Sequence, residues 1–136
     1  MAKPHIPQEL IDRIARNYPN AKMIRLPEKN PQEVIFETGR SEDGSWSTAV
    51  AIIKKSRLHF HHSTVENYFI LEGDLKLEGG DHKERITCDR CTTGDQVRVS
   101  PGRVHRALAG MRIPVVLVLA RPAWRLDDHI FVPEWT

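Results

Sequence analysis

The sequence predicts an all-β fold, a sandwich or barrel of short strands with one short helix at its N-terminal end. Three observations carry that expectation. From about Val34 onward, short β-forming runs recur at regular spacing. Turn-forming residues separate them. No long helical period intervenes, and no linker, low-complexity segment or fixed-period repeat breaks the series. The chain has 136 residues, of which 40% are apolar and 28% charged. That suffices for one domain with a real core, not for two.

The elements follow in order. Pro7 to Tyr18 reads as a helix, because Leu10, Ile11, Ile14 and Ala15 form one stripe and Gln8, Asp12, Arg13 and Arg16 lie elsewhere. Pro7 at its start and Asn17-Tyr18-Pro19-Asn20 at its end suit helix entry and exit. Residues 1–33 are therefore expected to be a helix and lead-in packed on a barrel formed by 34–136. Strands are expected at Val34–Thr38, Trp46–Ile53, Leu58–His62, Glu66–Glu72, Leu75–Leu77, Glu84–Thr87, Gln96–Val99, His105–Ala109 and Val115–Leu119. Gly73-Asp74 is a hairpin signal. Cys88 and Cys91 are expected as reduced thiols on a loop between two strands, since one such pair is half of a four-ligand zinc site. The tail from Pro122 to Thr136 should pack back on the barrel, which would keep Trp124, Phe131 and Trp135 dry.

Charge narrows the partners. The net charge is +2 with both signs interspersed, and no basic run would track a phosphate backbone, so nucleic acid is not expected. The longest apolar run, Ile113 to Ala120, falls far short of the roughly 20 residues that cross a bilayer. The N-terminus lacks the apolar segment of a secretory signal, and cytoplasm is the expected compartment.

His59-Phe60-His61, Glu66 and, further on, His105 are the residues with chemistry. Side chains alternate along a strand, so His59 and His61 share a face with Phe60 opposite. A turn through Ser63-Thr64-Val65 brings Glu66 back toward them. The Pro101-Gly102 turn re-aims the chain so that His105 enters the same cavity, with Ala107 and Ala109 leaving room on its face. Three imidazoles and a carboxylate describe a site for a divalent transition metal: Fe, Mn, Ni or Zn. His62 faces the other way and reads as a rim residue. His5, His82 and His129 lack a partner at ligand spacing and read as surface or hydrogen-bonded residues. Arg57 would share the face of His59 on an unbroken strand, where a guanidinium suits a substrate carboxylate or phosphate. Arg98, Arg103 and Arg106 read as surface or rim, and Trp46 and Trp124 as core or pocket wall.

In this order and spacing the two halves resemble the two motifs of the cupin superfamily. His59, His61, Glu66 and Gly73 match the first motif, with Ile53 at its leading glycine. Gly94, Gly102 and His105 match the second, with Ser100 at its proline and Ala109 at its terminal asparagine. The resemblance implies a double-stranded β-helix, or jelly roll, with His59, His61, Glu66 and His105 as metal ligands. It also draws attention to Tyr68, because E-x-Y resembles cupin lyases in which such a tyrosine serves as base. The implied function is a small-molecule metalloenzyme, of isomerase/lyase or dioxygenase type. The alternative is a non-enzymatic small-molecule binding or sensing module. A homodimer is implied as well, with Val34 to Thr38 as a contributor to the covered edge.

Overall fold

The computed structural model describes residues 5–80 and 87–132. Among them are one helix, α1 (Gln8–Asn17), and eleven strands. The strands are β1 (Lys22–Leu26), β2 (Glu33–Arg40), β3 (Ser47–Ile53), β4 (His59–His61), β5 (Val65–Glu72), β6 (Asp74–Gly80), β7 (Thr87–Thr92), β8 (Gln96–Val99), β9 (Val104–Ala109), β10 (Val115–Arg121) and β11 (His129–Phe131). They form a six-stranded sheet, β1-β2-β3-β10-β5-β8, and a five-stranded sheet, β11-β4-β9-β6-β7. Every pairing is antiparallel.

Alternation along the strands divides the apolar residues of the larger sheet between two cores. Ala51, Ile53, Tyr68, Ile70 and Val116 face the smaller sheet and pack with Leu75, Leu77, Val99 and Ala107. Val34, Phe36, Val50, Ile52 and Val115 face the other way, onto Ile6, Ile11 and Ile14. The sheet is thus apolar on both faces in β3 and β10, which explains why those two strands read as near-continuous apolar runs. Arg13 of α1 bonds Glu72 at the end of β5 at 3.0 Å. Both side chains are well exposed, so this pair adds little beyond the apolar contact.

Several expectations are corrected. Gly73-Asp74 does not close a hairpin, because β5 pairs with β10 and β8, whereas β6 pairs with β9 and β7. Gly73, with φ +82°, makes instead the corner at which the chain leaves one sheet for the other, and a Cβ there would lie 2.5 Å from the Ile113 carbonyl oxygen. Cys88 and Cys91 lie within β7, not on a loop. Three residues of extended chain separate their α-carbons by about 10 Å, beyond the span of a disulfide. Residues 84–86 of the strand expected at Glu84–Thr87 lie outside the described residues. The Val34–Thr38 segment cannot cover a sheet edge, since β2 lies between β1 and β3. On that side of the larger sheet the edge strand is β1, in a stretch with no clean alternation in its sequence. The described part of the tail returns to the barrel: β11 pairs with β4, and the Trp124 N–H donates to Ser47 Oγ at 2.8 Å. Trp135 lies outside the described residues.

Candidate metal centre

The register of the smaller sheet brings the histidines together. His59 of β4 stands directly opposite His105 of β9. On the other side of β4, His129 of β11 stands opposite His61, and Phe131 opposite His59. The chain then crosses to the larger sheet, where Glu66 of β5 points back into the barrel. The turn that makes this crossing is held by the Asp128 carboxylate, which accepts from the His62 N–H (3.0 Å), the Ser63 N–H (3.3 Å) and the Thr64 hydroxyl (3.0 Å). The Gly102 N–H donates to the His61 carbonyl at 2.7 Å, tying the second turn to β4. Gly102 has φ +79°, a conformation other residues rarely adopt.

His59, His61, Glu66 and His105 are all buried, and one ligand atom from each lies within 4.8 Å of every other. Glu66 Oε1 is 3.0 Å from His61 Nε2 and 3.6 Å from His105 Nε2. His59 Nδ1 lies 2.6 Å from the Arg57 carbonyl and His105 Nδ1 lies 3.0 Å from the Arg103 carbonyl. A carbonyl only accepts, so each Nδ1 carries the proton and each Nε2 presents its lone pair to the cavity. Both nitrogens of His61 and Nε2 of His105 are buried without a hydrogen-bond partner. Buried lone pairs left in this state are costly in a folded protein. A divalent cation would satisfy them, and the donor set, three nitrogens and one oxygen, suits a transition metal. The four residues fit the ion that their chemistry implies.

Electrostatics set the protonation states at this centre. Burial, reinforced by His105 and His129, pushes His59 well below the ordinary histidine value, so the ring is neutral. Burial alone would raise Glu66, but the His105 and His61 imidazoles close beside its carboxylate hold it well below the ordinary carboxylate range. For His61 burial works downward, and the Glu66 carboxylate outweighs it, raising the imidazole. Tyr68 is buried, and its hydroxyl donates to Glu66 Oε1 at 3.3 Å. Burial and then the charges of Glu66 and Glu33 push this phenol well above its ordinary value. A phenol so placed is a hydrogen-bond donor that orients the carboxylate, which works against its use as a base.

Arg57 lies in the break between β3 and β4, so strand alternation does not set its face. It is exposed, with its guanidinium 4.1 Å from the centre of the Phe131 ring. His62 is exposed, and Trp46 is 40% exposed rather than core. His82 lies outside the described residues.

Two residues at the centre carry little signal in the sequence. His129 is buried and stacked on His59, with ring centres 3.9 Å apart and planes within 12°. Its Nδ1 accepts from the Trp124 indole at 3.3 Å. Burial and the neighbouring His61 lower it to about 4, so it is neutral and props the face of a candidate ligand. Glu33 is 8% exposed and shares with His129 the lining of both a small inner cavity and a larger outer chamber. Burial and then the Glu66 charge raise its carboxyl to about 7. The alternation of Glu33, Ile35 and Glu37 against Val34 and Phe36 was available as a signal for an inward Glu33. The tail's His129-Ile130-Phe131 had only its alternation.

No protein-family model and no curated protein sequence matches the chain. Solved structures do. Pac13 of Streptomyces, described as a unique nucleoside dehydratase, gives a TM-score of 0.67 at 11% identity over 88% of this chain and 90% of that one. An Fe(II) form of HppE gives 0.65 at 19% identity over 76% of this chain and 57% of that one. A mutant of Bacillus subtilis oxalate decarboxylase, OxdC, gives 0.70 at 15% identity over 87% of this chain. The matched region is 32% of that chain, so this protein spans about a third of it. At such identities the likeness speaks of fold: these are cupin-fold proteins, and this chain has the same barrel.

Proposed function

From this cupin fold and its buried donor set, we propose that the protein is a small-molecule metalloenzyme. One divalent transition metal is held by His59, His61, Glu66 and His105. The observation that carries the reading is the convergence of four buried donors, with imidazole nitrogens left without partners. A metal held by these four residues would supply Lewis acidity or a site for oxygen. The chain's own residues do the rest. Backbone carbonyls fix the tautomers of His59 and His105, Tyr68 orients Glu66, and His129 props His59. HppE holds Fe(II), and Pac13 and oxalate decarboxylase act on small molecules, which supports the class without choosing the reaction. Arg57, beside Phe131 at the outer chamber, is the proposed contact for an anionic substrate group. A cytoplasmic homodimer that covers the β1 edge completes the reading.

Elemental analysis tests it, on protein purified without a metal-binding tag. The wild type should carry close to one Fe, Mn, Ni or Zn per chain, and the His59→Ala/His105→Ala variant should lose it. If neither protein holds metal and added metal raises the melting temperature of neither, the reading fails. Metal that supports ligand-dependent thermal stability without turnover would instead make the chain a binding module.

A further inference from the structure

The cavity that Glu66 and Tyr68 line offers about 50 Å³ of open space. At roughly 10–15 Å³ of such space per water, that admits a few waters and no organic molecule of any size. Next to it lies the outer chamber, of about 440 Å³, lined by Leu26, Pro27, Gln32, Lys55, Ser56, Arg57 and Phe131 together with Glu33 and His129. Glu33 and His129 belong to both spaces. A small molecule lodged in the outer chamber would lie against these two side chains, on the side of the chamber that adjoins the cavity lined by Glu66. Leu26, Pro27 and Phe131 give that chamber apolar walls suited to a ring.

Glu33 has no structural task that accounts for it. It is 8% exposed, yet no side-chain hydrogen bond or ion pair engages its carboxyl among the described residues. It does not belong to the four-residue donor group. Its oxygens are not among the fully buried atoms left without a partner; they border the two spaces that the residue lines. Its orientation toward the chamber gives it a use.

We propose that Glu33 is a specificity residue, accepting a hydrogen bond from an O–H or N–H donor on a ring-sized substrate lodged against Leu26, Pro27 and Phe131. In either protonation state the carboxyl keeps an acceptor oxygen, so the contact does not depend on its charge. The substrate class is thus a small ring compound with a hydroxyl or amino group on the side facing β2. This rests on the reading of the metal-facing cavity as the substrate site.

The test uses metal-free protein in chelator and two neutral probes, benzyl alcohol and benzyl methyl ether, which differ in the donor. Binding is followed by the shifts of the His129 and Phe131 ring signals in NMR titrations. The wild type should bind the alcohol about tenfold more tightly, the worth of one well-made hydrogen bond. Glu33→Gln keeps an acceptor without the charge and should keep most of that preference. Glu33→Leu should abolish it while leaving the ether's affinity within about twofold. The proposal is overturned if neither probe shifts the His129 and Phe131 signals, if the wild type does not distinguish the probes, or if Glu33→Leu retains the preference. Metal content of Glu33→Gln is read separately. Wild-type stoichiometry is expected where the wild type binds metal, and loss of metal from this variant alone would make Glu33 a ligand and overturn the assignment. A wild type that binds no metal defeats the metalloenzyme reading and leaves the probe result to stand by itself.

Discussion

The Asp128 carboxylate accepts from two backbone N–H groups and a buried hydroxyl in the turn between His61 and Glu66. It ties the tail to the turn between two candidate ligands. Burial opposes its ionisation, but the donors of Thr64, Ser63 and His62 outweigh that and hold it below the ordinary aspartate value. Its stabilising contribution is present above the unfolded value of about 3.9 and is lost as pH falls through the depressed folded value. Asp128→Ala should cost about 1–3 kcal/mol in urea unfolding at pH 7. The deficit relative to wild type should shrink toward pH 2. An unchanged deficit at low pH would place the loss in packing rather than in the carboxylate's hydrogen bonds. Metal affinity has its own pH dependence, because an imidazole must be neutral to bind. His61 is raised above the ordinary 6.5, so affinity should begin to fall on acidification while the pH is still near neutral. Equilibrium competition with a chelator across pH 5 to 8 measures this.

The corner between β5 and β6 decides which sheet each half of the barrel joins. Gly73 meets two demands there: a positive φ, and a backbone approach to Ile113 and Pro114 that leaves no room for a Cβ. Gly73→Ala should therefore destabilise by about 2 kcal/mol or more, through strain and displacement of the strand leading into β10. Calorimetry checks it, and a change under about 0.5 kcal/mol would mean that the corner relaxes freely. The neighbouring β7 shows why local signals misled. Cys88-Asp89-Arg90-Cys91 is polar and lacks a strand's apolar alternation, so it reads as a loop. Pairing of β7 with β6 across six registered residues makes it a strand. Strand propensity is a statement about fit to a pleated, half-buried surface, and a neighbour can supply that surface.

In the whole molecule the helix and the barrel share strands. β2, β3 and β10 each place alternate residues in the core inside the barrel or beside it and in the core beneath α1. Loss of packing on the helix side should thus be felt at the candidate metal centre. Ile14→Ala is expected to cost about 2–4 kcal/mol. Far-ultraviolet dichroism and tryptophan fluorescence should still report one coincident transition. Separated transitions, with the fluorescence of Trp124 beside His129 lagging behind, would show that α1 is an independent cover.

The sequence by itself determined the all-β class, the inward pair His59 and His61, the return of Glu66 and the entry of His105. These follow from strand alternation and from turn residues close in the chain, which are local rules. The tertiary structure alone decided the partners of each strand, the place of β1 and β11, and the presence of Glu33, Asp128 and His129 at the centre. Asp128 and His129 stand more than sixty residues from the turn and strand they meet, and Glu33 stands about thirty from Glu66. Their positions follow from sheet register and chain return, and no local period encodes which distant strand a residue will face.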